Sequence, residues 1–273
     1  MWRRGNISRV MEQLNWVPSS VDVTKPSVAR MYDYFLGGSH NFEADRAAAK
    51  AVEQFAPGAA TGAQSNRSFL RRAVRTLRAA GVSQFLDLGS GIPTVGNVHE
   101  IAQQDDPTAR VVYVDFEPVA VSHANLLLAE NDYACAIQAD LRSPSTVLTQ
   151  SNLLDFTKPV GVLMVAALHF VPDSDDPYSV VETYLDACVP GSYLVLSHGT
   201  MDGYDPEDNG ADQVSAIYKR TGNPVTPRTH AEVSRFFTGL SLIEPGVVPV
   251  NEWRPDADAD FVGIYAGVAR KDS

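Results

Sequence analysis

Residues 85–93 read FLDLGSGIP, a short apolar run that contains an aspartate and ends in a turn with two glycines. A short run of mostly apolar residues is typical of a buried strand, and the helical spacing of residues 98–103 indicates a helix just beyond the turn. Glycine at a strand-to-helix turn lets the backbone adopt dihedral angles closed to other residues and approach a ligand closely. The stretch therefore predicts a first strand and a tight turn at which a small molecule can bind.

The same alternation of apolar run, turn and helix continues to the end of the chain. Further strands are predicted at 110–114, 134–139, 161–167, 192–197, 242–250 and 261–270. Near-continuous apolar strands separated by helices are typical of a parallel sheet covered on both faces. The pattern therefore predicts a doubly wound α/β fold.

The first 65 residues carry no clean strand pattern and two short helical ones, at 27–36 and 44–55. An amphipathic helix is predicted at 66–80, because its apolar residues recur at helical spacing and a glycine follows at position 81. We therefore expect an N-terminal helical segment at 1–65 and one compact domain at 66–273.

Composition limits the classes of partner. The chain has 273 residues with a formal net charge of −11, and a surface this acidic repels phosphate backbones and anionic lipids. Cys135 and Cys188 lie far apart, and no histidines share one helical face, so neither a disulfide framework nor a metal site is indicated. No segment approaches the roughly 18 to 20 apolar residues of a membrane span, and no signal peptide is evident. We expect a cytoplasmic protein that binds neither nucleic acid nor membranes, and no pattern indicates an oligomeric state.

Two further carboxylates stand where the next predicted strands end. Asp115 follows Gly91 by 24 residues, at a position where a carboxylate can accept hydrogen bonds from both ribose hydroxyls. Asp140 and Leu141 end the third strand, where a carboxylate and a backbone N–H can read the edge of an adenine. These positions together predict an adenosine site. The competing interpretations are a cap or turn residue for Asp87 and an Asx turn for Asp140.

The glycine turn also bears on which adenosine ligand is bound. A dinucleotide fingerprint requires a third glycine three residues after the second, but Thr94 occupies that position. Asp87 would repel a pyrophosphate, whereas it suits a ligand that carries an ammonium group. The residues therefore favour S-adenosylmethionine over a nicotinamide dinucleotide, and an NAD-dependent oxidoreductase is the less favoured alternative.

The order of the motifs DLGSGIP, VYVDFEP, QADL, ALHFVPD and PGSYLVLSHGT resembles that of class I S-adenosylmethionine-dependent methyltransferases. PSVARMYDYFLGGSHNFEADR, NRSFLRRAV, GIPTVGNVHE and EPGVV with the later WRP resemble, more narrowly, the actinobacterial S-adenosyl methyltransferase family once called domain of unknown function 574. Pro93 stands where many class I members have a third glycine, a departure that looks like a trait of the narrower family. The resemblance implies a mostly parallel seven-stranded sheet with an antiparallel last strand. It also implies methyl transfer to a small organic acceptor, with S-adenosylhomocysteine as product.

The resemblance further implies which residues hold the cofactor. The implied contacts are Gly89, Ser90 and Gly91 around the methionine and ribose, Asp87 near the ammonium, Asp115 at the ribose, Phe116 against the adenine, and Asp140 with Leu141 at its edge. The resemblance also favours a lid over a plain helical hairpin for the N-terminal segment. The lid candidates are Tyr32, Tyr34 and Phe42 toward the sulfonium and Arg30, Asn66 and Arg67 toward the carboxylate.

Histidines at the ends of the fourth and fifth strands are the candidate catalytic residues. Methyl transfer is a displacement in which alignment supplies much of the acceleration, so a base is optional. For an O–H or N–H acceptor a histidine is the usual base, and His169 and His198 lie at the carboxyl edge where such sheets bind ligands. The competing interpretation is that both rings complete the core. Since no acceptor residues are evident, a non-catalytic binder of S-adenosylmethionine or S-adenosylhomocysteine is the alternative function.

Overall fold

The computed structural model describes residues 17–94, 96–203, 210–255 and 262–272. The strands are β1 (Gln84–Leu88), β2 (Arg110–Asp115), β3 (Ala134–Gln138), β4 (Gly161–Val165), β5 (Tyr193–Gly199), β6 (Ser241–Leu242), β7 (Val248–Pro249) and β8 (Ile264–Arg270). They form one sheet in the order β3-β2-β1-β4-β5-β8-β6, and β7 also pairs with β8. Strands β1 to β5 pair in parallel, whereas β8 runs antiparallel to β5. The predicted doubly wound fold with an antiparallel last strand is confirmed.

The described sheet has eight strands instead of seven because the segment predicted as one strand at 242–250 forms two. Strand β6 pairs with the end of β8, and β7 pairs nearer to its beginning. Gly246 lies between them with a φ of +93°, a conformation that turns the chain and that other residues rarely adopt.

Helices cover both faces of the sheet and its carboxyl edge. They are α1 (Val28–Phe35), α2 (Glu43–Phe55), α3 (Ala59–Ala79), α4 (Val98–Ala102), α5 (Pro118–Leu127), α6 (Pro144–Gln150), α7 (Pro177–Asp186), α8 (Gly210–Lys219) and α9 (His230–Arg235). One buried cluster, which includes Phe69 and Trp253, packs against one face of the sheet, and a second, which includes Leu86 and Tyr184, packs against the other. Within the described residues, no helix is both long and apolar enough to cross a membrane, and both cysteines are free.

Helix α3 extends further than its sequence pattern predicts. It begins at Ala59, because residues 59–65 continue the helix although Gly62 and the small and polar residues around it give no apolar periodicity. The expected boundary at 65/66 therefore falls inside one helix, and the division of the chain at that point stays a prediction. Residues 1–16 of the expected lid segment lie outside the described residues.

A separate apolar cluster joins the N-terminal helices to α8. Its buried members include Met31 of α1, Val52 of α2, Ala63 of α3 and Ile217 of α8. We call α1, α2, the first two turns of α3 and α8 the cap. The cap adjoins the carboxyl edge of the sheet, where predicted site residues gather.

Arg30 anchors the cap to the sheet layer instead of facing the site. Its side chain is 3% exposed, its Nε donates to Asp45 Oδ2 over 2.9 Å, and its Nη1 donates to Glu117 Oε1 over 3.1 Å. Ser27 Oγ also donates to Glu117 over 2.8 Å. The expectation that Arg30 reaches a ligand carboxylate is therefore wrong, because two protein carboxylates already occupy its guanidinium.

Candidate active site

A cavity of about 640 Å³ follows the carboxyl edge of the sheet between the strand ends and the cap. The strand order along this edge divides the cavity into two halves, one at β3, β2 and β1 and the other at β4, β5 and β8. The β1–β3 half is lined by Asp87, Asp115, Asp140 and the residues next to them. The β4–β8 half is lined by residues at the ends of β4 and β5, the beginning of β8 and the cap.

Asp87 is a buried carboxylate that faces the cavity. It lies near the end of β1, is 4% exposed, and accepts no hydrogen bond from the described residues. Burial raises the pKa of Asp87 to about 7, the nearby Arg67 lowers it in part, and the charge of Asp115 raises it further. A buried carboxylate without a hydrogen bond is costly, so the site favours a ligand that brings a cationic donor.

Asp115 ends β2 and is held by two backbone donors. Its Oδ2 accepts from the N–H of Gly91 over 2.7 Å, and its Oδ1 accepts from the N–H of Glu117 over 2.8 Å. Burial raises the pKa of Asp115 to about 6, opposed by these two hydrogen bonds. Each oxygen of an ionised carboxylate can accept a second hydrogen bond, so Asp115 can also accept from hydroxyl groups of a ligand.

The two glycines of the turn meet different requirements. Gly89 has a φ of +73°, and a Cβ at this position would lie 2.7 Å from the Cβ of Ala167. Gly91 has a φ of +66°, but a Cβ there would meet no atom within 4 Å. The N–H groups of Gly89 and Ser90 both donate to Val114 O, so the turn is fixed to β2. Gly89, Ser90 and Gly91 all line the cavity.

Beyond β2 and β3 the cavity wall offers an aromatic face and an ion pair. Phe116 is 49% exposed although it is aromatic, and it lines the cavity together with Leu141. Asp140 also lines the cavity, but its carboxylate accepts from Arg142 Nη2 over 2.6 Å. Arg142, which also pairs with Asp175 at 2.8 Å, is a cavity residue that sequence reasoning missed. The signal in the sequence that could have identified Arg142 is its position two residues after Asp140.

A hydrogen-bonded chain links the cap to the sheet at the centre of the cavity. Ser197 Oγ donates to Asn66 Oδ1 over 2.5 Å, and Asn66 Nδ2 donates to the hydroxyl of Tyr32 over 2.8 Å. The Tyr32 hydroxyl donates to Ala63 O over 3.2 Å. Asn66 and Tyr32 line the cavity, and their position is set by partners on three different elements.

Arg67 is a cationic residue of the cavity lining, and its charge lowers the pKa of Asp87. Its Nη2 donates to Thr94 Oγ1 over 2.7 Å, while its Nε is buried without a hydrogen-bond partner. A guanidinium with an unused donor suits a ligand carboxylate. The other two lid candidates, Tyr34 and Phe42, are not among the described lining residues.

His198 is buried, and both of its ring nitrogens already have hydrogen-bond partners. Its ring is 0% exposed, does not line the cavity, and accepts at Nε2 from Arg228 Nη1 over 2.8 Å. Because an arginine only donates, the proton of neutral His198 is on Nδ1, which donates to Gly199 O over 2.8 Å. The expectation that His198 acts as a catalytic base is therefore corrected, since neither nitrogen has a lone pair available to a substrate.

His169 does line the cavity, in the short 3-10 helix Leu168–Phe170 that follows β4. Its Nδ1 accepts from the N–H of Gly199 over 3.3 Å. Burial lowers the pKa of His169 to about 3, helped by His198 and the positive charge of Arg228. The ring is therefore neutral at physiological pH. Of the two expected catalytic histidines, one lies at the cavity and one does not.

Arg228 holds together the β4–β8 half of the site. No spacing in the sequence predicts this role. Arg228 is 3% exposed and donates to Leu168 O, Val171 O and Asp173 as well as to His198. It therefore fixes the segment that carries His169.

Among the described residues, no group of three or more histidine, cysteine or acidic side chains is placed to bind a metal ion.

Comparison with known proteins gives consistent matches. The family model described as S-adenosyl methyltransferase matches residues 14–272. The crystal structure of a DUF574 family protein from Streptomyces avermitilis is 38% identical, with a TM-score of 0.86 over 92% of this chain and 99% of that one. A candidate methyltransferase from Thermobifida fusca is 39% identical, with a TM-score of 0.88 over 95% of this chain and 100% of that one. No match was found among curated proteins.

Proposed function

The chain belongs to the S-adenosyl methyltransferase family, and we propose how its cavity is used. The β1–β3 half of the cavity binds S-adenosylmethionine, and the β4–β8 half receives a small organic methyl acceptor. The protein is an S-adenosylmethionine-dependent methyltransferase. When bound, S-adenosylmethionine supplies an electrophilic methyl group on a sulfonium. The residues of this chain bind, orient and enclose the reactants.

Asp87 is the observation that carries this assignment. It is buried, faces the cavity and lacks a hydrogen bond from any described residue. The ammonium of the cofactor's methionine portion would supply the missing donor and the compensating charge. Arg67, whose Nε is buried without a partner, would take the carboxylate of the same portion.

The other predicted contacts fit the adenosine portion. Asp115 has lone pairs left for ribose hydroxyls, and Phe116 exposes a ring face on which an adenine can stack. Asp140 fits less simply, because Arg142 already binds its carboxylate. We propose that Asp140 and Arg142 act on the adenine edge as a pair, next to Leu141. Gly89, Ser90 and Gly91 line the same half, and the open space beside Gly91 leaves room for close approach of the cofactor.

The acceptor is proposed to be a small molecule because the β4–β8 half lies between the sheet edge and the cap. Displacement at the methyl group requires alignment above all, which a fixed wall supplies. A cytoplasmic location and the exclusion of nucleic acid stay predictions from the sequence.

Transfer of labelled methyl groups tests the proposed acceptor class. The full chain would be incubated with methyl-labelled S-adenosylmethionine and either the small-molecule extract or the nucleic acids and proteins of a Streptomyces culture. We expect label in the small-molecule fraction, and less of it with the Asp87→Asn variant when S-adenosylmethionine is limiting. Label confined to nucleic acid or protein would contradict the proposal.

A further inference from the structure

The β4–β8 half of the cavity is lined mainly by apolar residues. Its lining includes Val52 and Phe55 of α2, Val214 of α8, Met201 after β5 and Ile264 of β8. Among the described lining residues of this half, the single charged one is Asp212, which is exposed. Burying an unpaired charge is costly, so the described part of this lining favours a neutral acceptor.

Aromatic rings form one wall of this half. The ring of His169 lies 4.3 Å from that of Phe170, centroid to centroid, and the ring of Phe170 lies 5.6 Å from that of Tyr218. All three side chains line the cavity. A row of rings offers offset and edge contacts to a flat aromatic molecule, which aliphatic walls do not.

The hydrogen bond at Nδ1 fixes what His169 offers to a ligand. Since the Gly199 N–H can only donate, Nδ1 must carry a lone pair, and the proton of the neutral ring is on Nε2. Nε2 has no hydrogen-bond partner among the described residues, and the ring lines the cavity. The backbone of His169 is also held, because Thr226 N donates to its carbonyl over 2.7 Å.

From these contacts, and resting on the proposed function, we propose that the β4–β8 half binds a neutral, planar aromatic acceptor, and that His169 orients it by donating Nε2–H to a carbonyl oxygen or ring nitrogen. The low pKa of this partly buried ring supports a neutral donor.

This role differs from that of a general base. To receive a proton at Nε2, the neutral ring would need its own proton on Nδ1, where it would face the N–H of Gly199. His169 therefore takes no proton from the acceptor. A hydrogen bond to the attacking lone pair would also compete with methyl transfer, so the atom that His169 binds is not the atom that is methylated.

Two probes of the same shape test the hydrogen bond. Quinoline and naphthalene differ by one ring nitrogen, and their binding to the full chain saturated with S-adenosylhomocysteine can be measured by saturation-transfer NMR titration. We expect quinoline to bind about five- to tenfold more tightly than naphthalene, as one hydrogen bond allows. His169→Phe should remove this difference. Phe170→Leu, the matched control, should weaken both probes and keep the ratio.

The outcomes separate this inference from the proposed function. Failure of the wild-type chain to bind S-adenosylhomocysteine would overturn the proposed function. If S-adenosylhomocysteine binds but the probes do not, or bind equally, or lose affinity equally in His169→Phe, the acceptor proposal alone is wrong.

The protonation state of His169 gives a second readout, which tests the tautomer on which the proposed hydrogen bond depends. In ¹⁵N-histidine-labelled protein, the resonances missing from the His169→Gln variant identify the ring. We expect its proton on Nε2 and no titration between pH 5 and 8. A proton on Nδ1, or a titration near neutral pH, would overturn the assignment.

Discussion

Asp115 accepts a 2.7 Å hydrogen bond from the backbone N–H of Gly91. One carboxylate at the end of β2 thus holds the glycine turn after β1 in shape and also faces the cavity. The turn and the ribose contact are therefore coupled, since a change at Asp115 alters both.

Replacing Asp115 with alanine should weaken binding of S-adenosylhomocysteine by about 1.5–3 kcal/mol, because hydrogen bonds to a charged group are lost. Calorimetric titration measures the loss, and thermal unfolding of the free variant measures how much the turn itself is weakened.

Asp140→Ala is the matched comparison at the next strand. Since Arg142 already binds this carboxylate at a partly exposed position, we expect a loss of about 1 kcal/mol or less in the same titration. A larger loss for Asp140 than for Asp115 would reverse the roles that we assign to the two carboxylates.

The two glycines of the turn should respond differently to alanine. Gly89→Ala combines a left-handed conformation with a Cβ only 2.7 Å from that of Ala167, so it should lower the free energy of unfolding by about 2–4 kcal/mol. Gly91→Ala meets no neighbour and should cost about 1–2 kcal/mol. Urea unfolding of both variants compares them, and equal losses would show that the contact with Ala167 is not restrictive.

Asp87 should reduce stability in the absence of ligand. Its pKa is raised from an ordinary value of 3.8 to about 7. The cost of the buried charge is therefore fully present above pH 7 and disappears as the pH falls toward 4. Asp87→Asn should raise the free energy of unfolding at pH 8 by on the order of 1–3 kcal/mol, and by less at pH 5. Urea unfolding at both pH values measures this, and a gain that grows toward pH 5 would contradict the account.

Arg30 should control how firmly the cap is held. Arg30→Met leaves Asp45 and Glu117 as buried carboxylates without their cation, which should lower the free energy of unfolding by about 3–5 kcal/mol. Amide exchange should accelerate in α1 and α2 more than in the sheet. Lys25→Met, which removes an exposed ion pair with Asp22, serves as the control and should change stability by less than about 1 kcal/mol. Uniform acceleration across the sheet would contradict a local anchor.

Much of the fold and part of the site follow from local patterns. The apolar run ending in Gly89 predicted β1 and its turn because the conformation needed there, a φ of +73°, is one that glycine adopts freely. Asp87 and Asp115 were predicted near each other because parallel strands end at one edge of a sheet, and both line the same cavity.

The polar pairs that hold the site together cannot be predicted from the spacing of residues in the sequence. Arg228 reaches His198 across 30 residues, and Arg30 reaches Glu117 across 87. Such pairs depend on how loops and helices pack in three dimensions, and a charged side chain in the sequence looks the same whether it is solvated or buried. Sequence reasoning therefore gave His198 and Arg30 ligand-facing roles that their buried partners exclude.

Calorimetric titration of S-adenosylmethionine into the wild-type chain and the Asp87→Asn variant at pH 7.5 measures whether Asp87 binds the ammonium of the cofactor. We predict one binding site per wild-type chain and at least about tenfold weaker binding in the variant, because the ammonium loses its charged partner. Absence of binding to the wild type would overturn the proposed cofactor site, and equal affinity in both proteins would overturn the proposed role of Asp87.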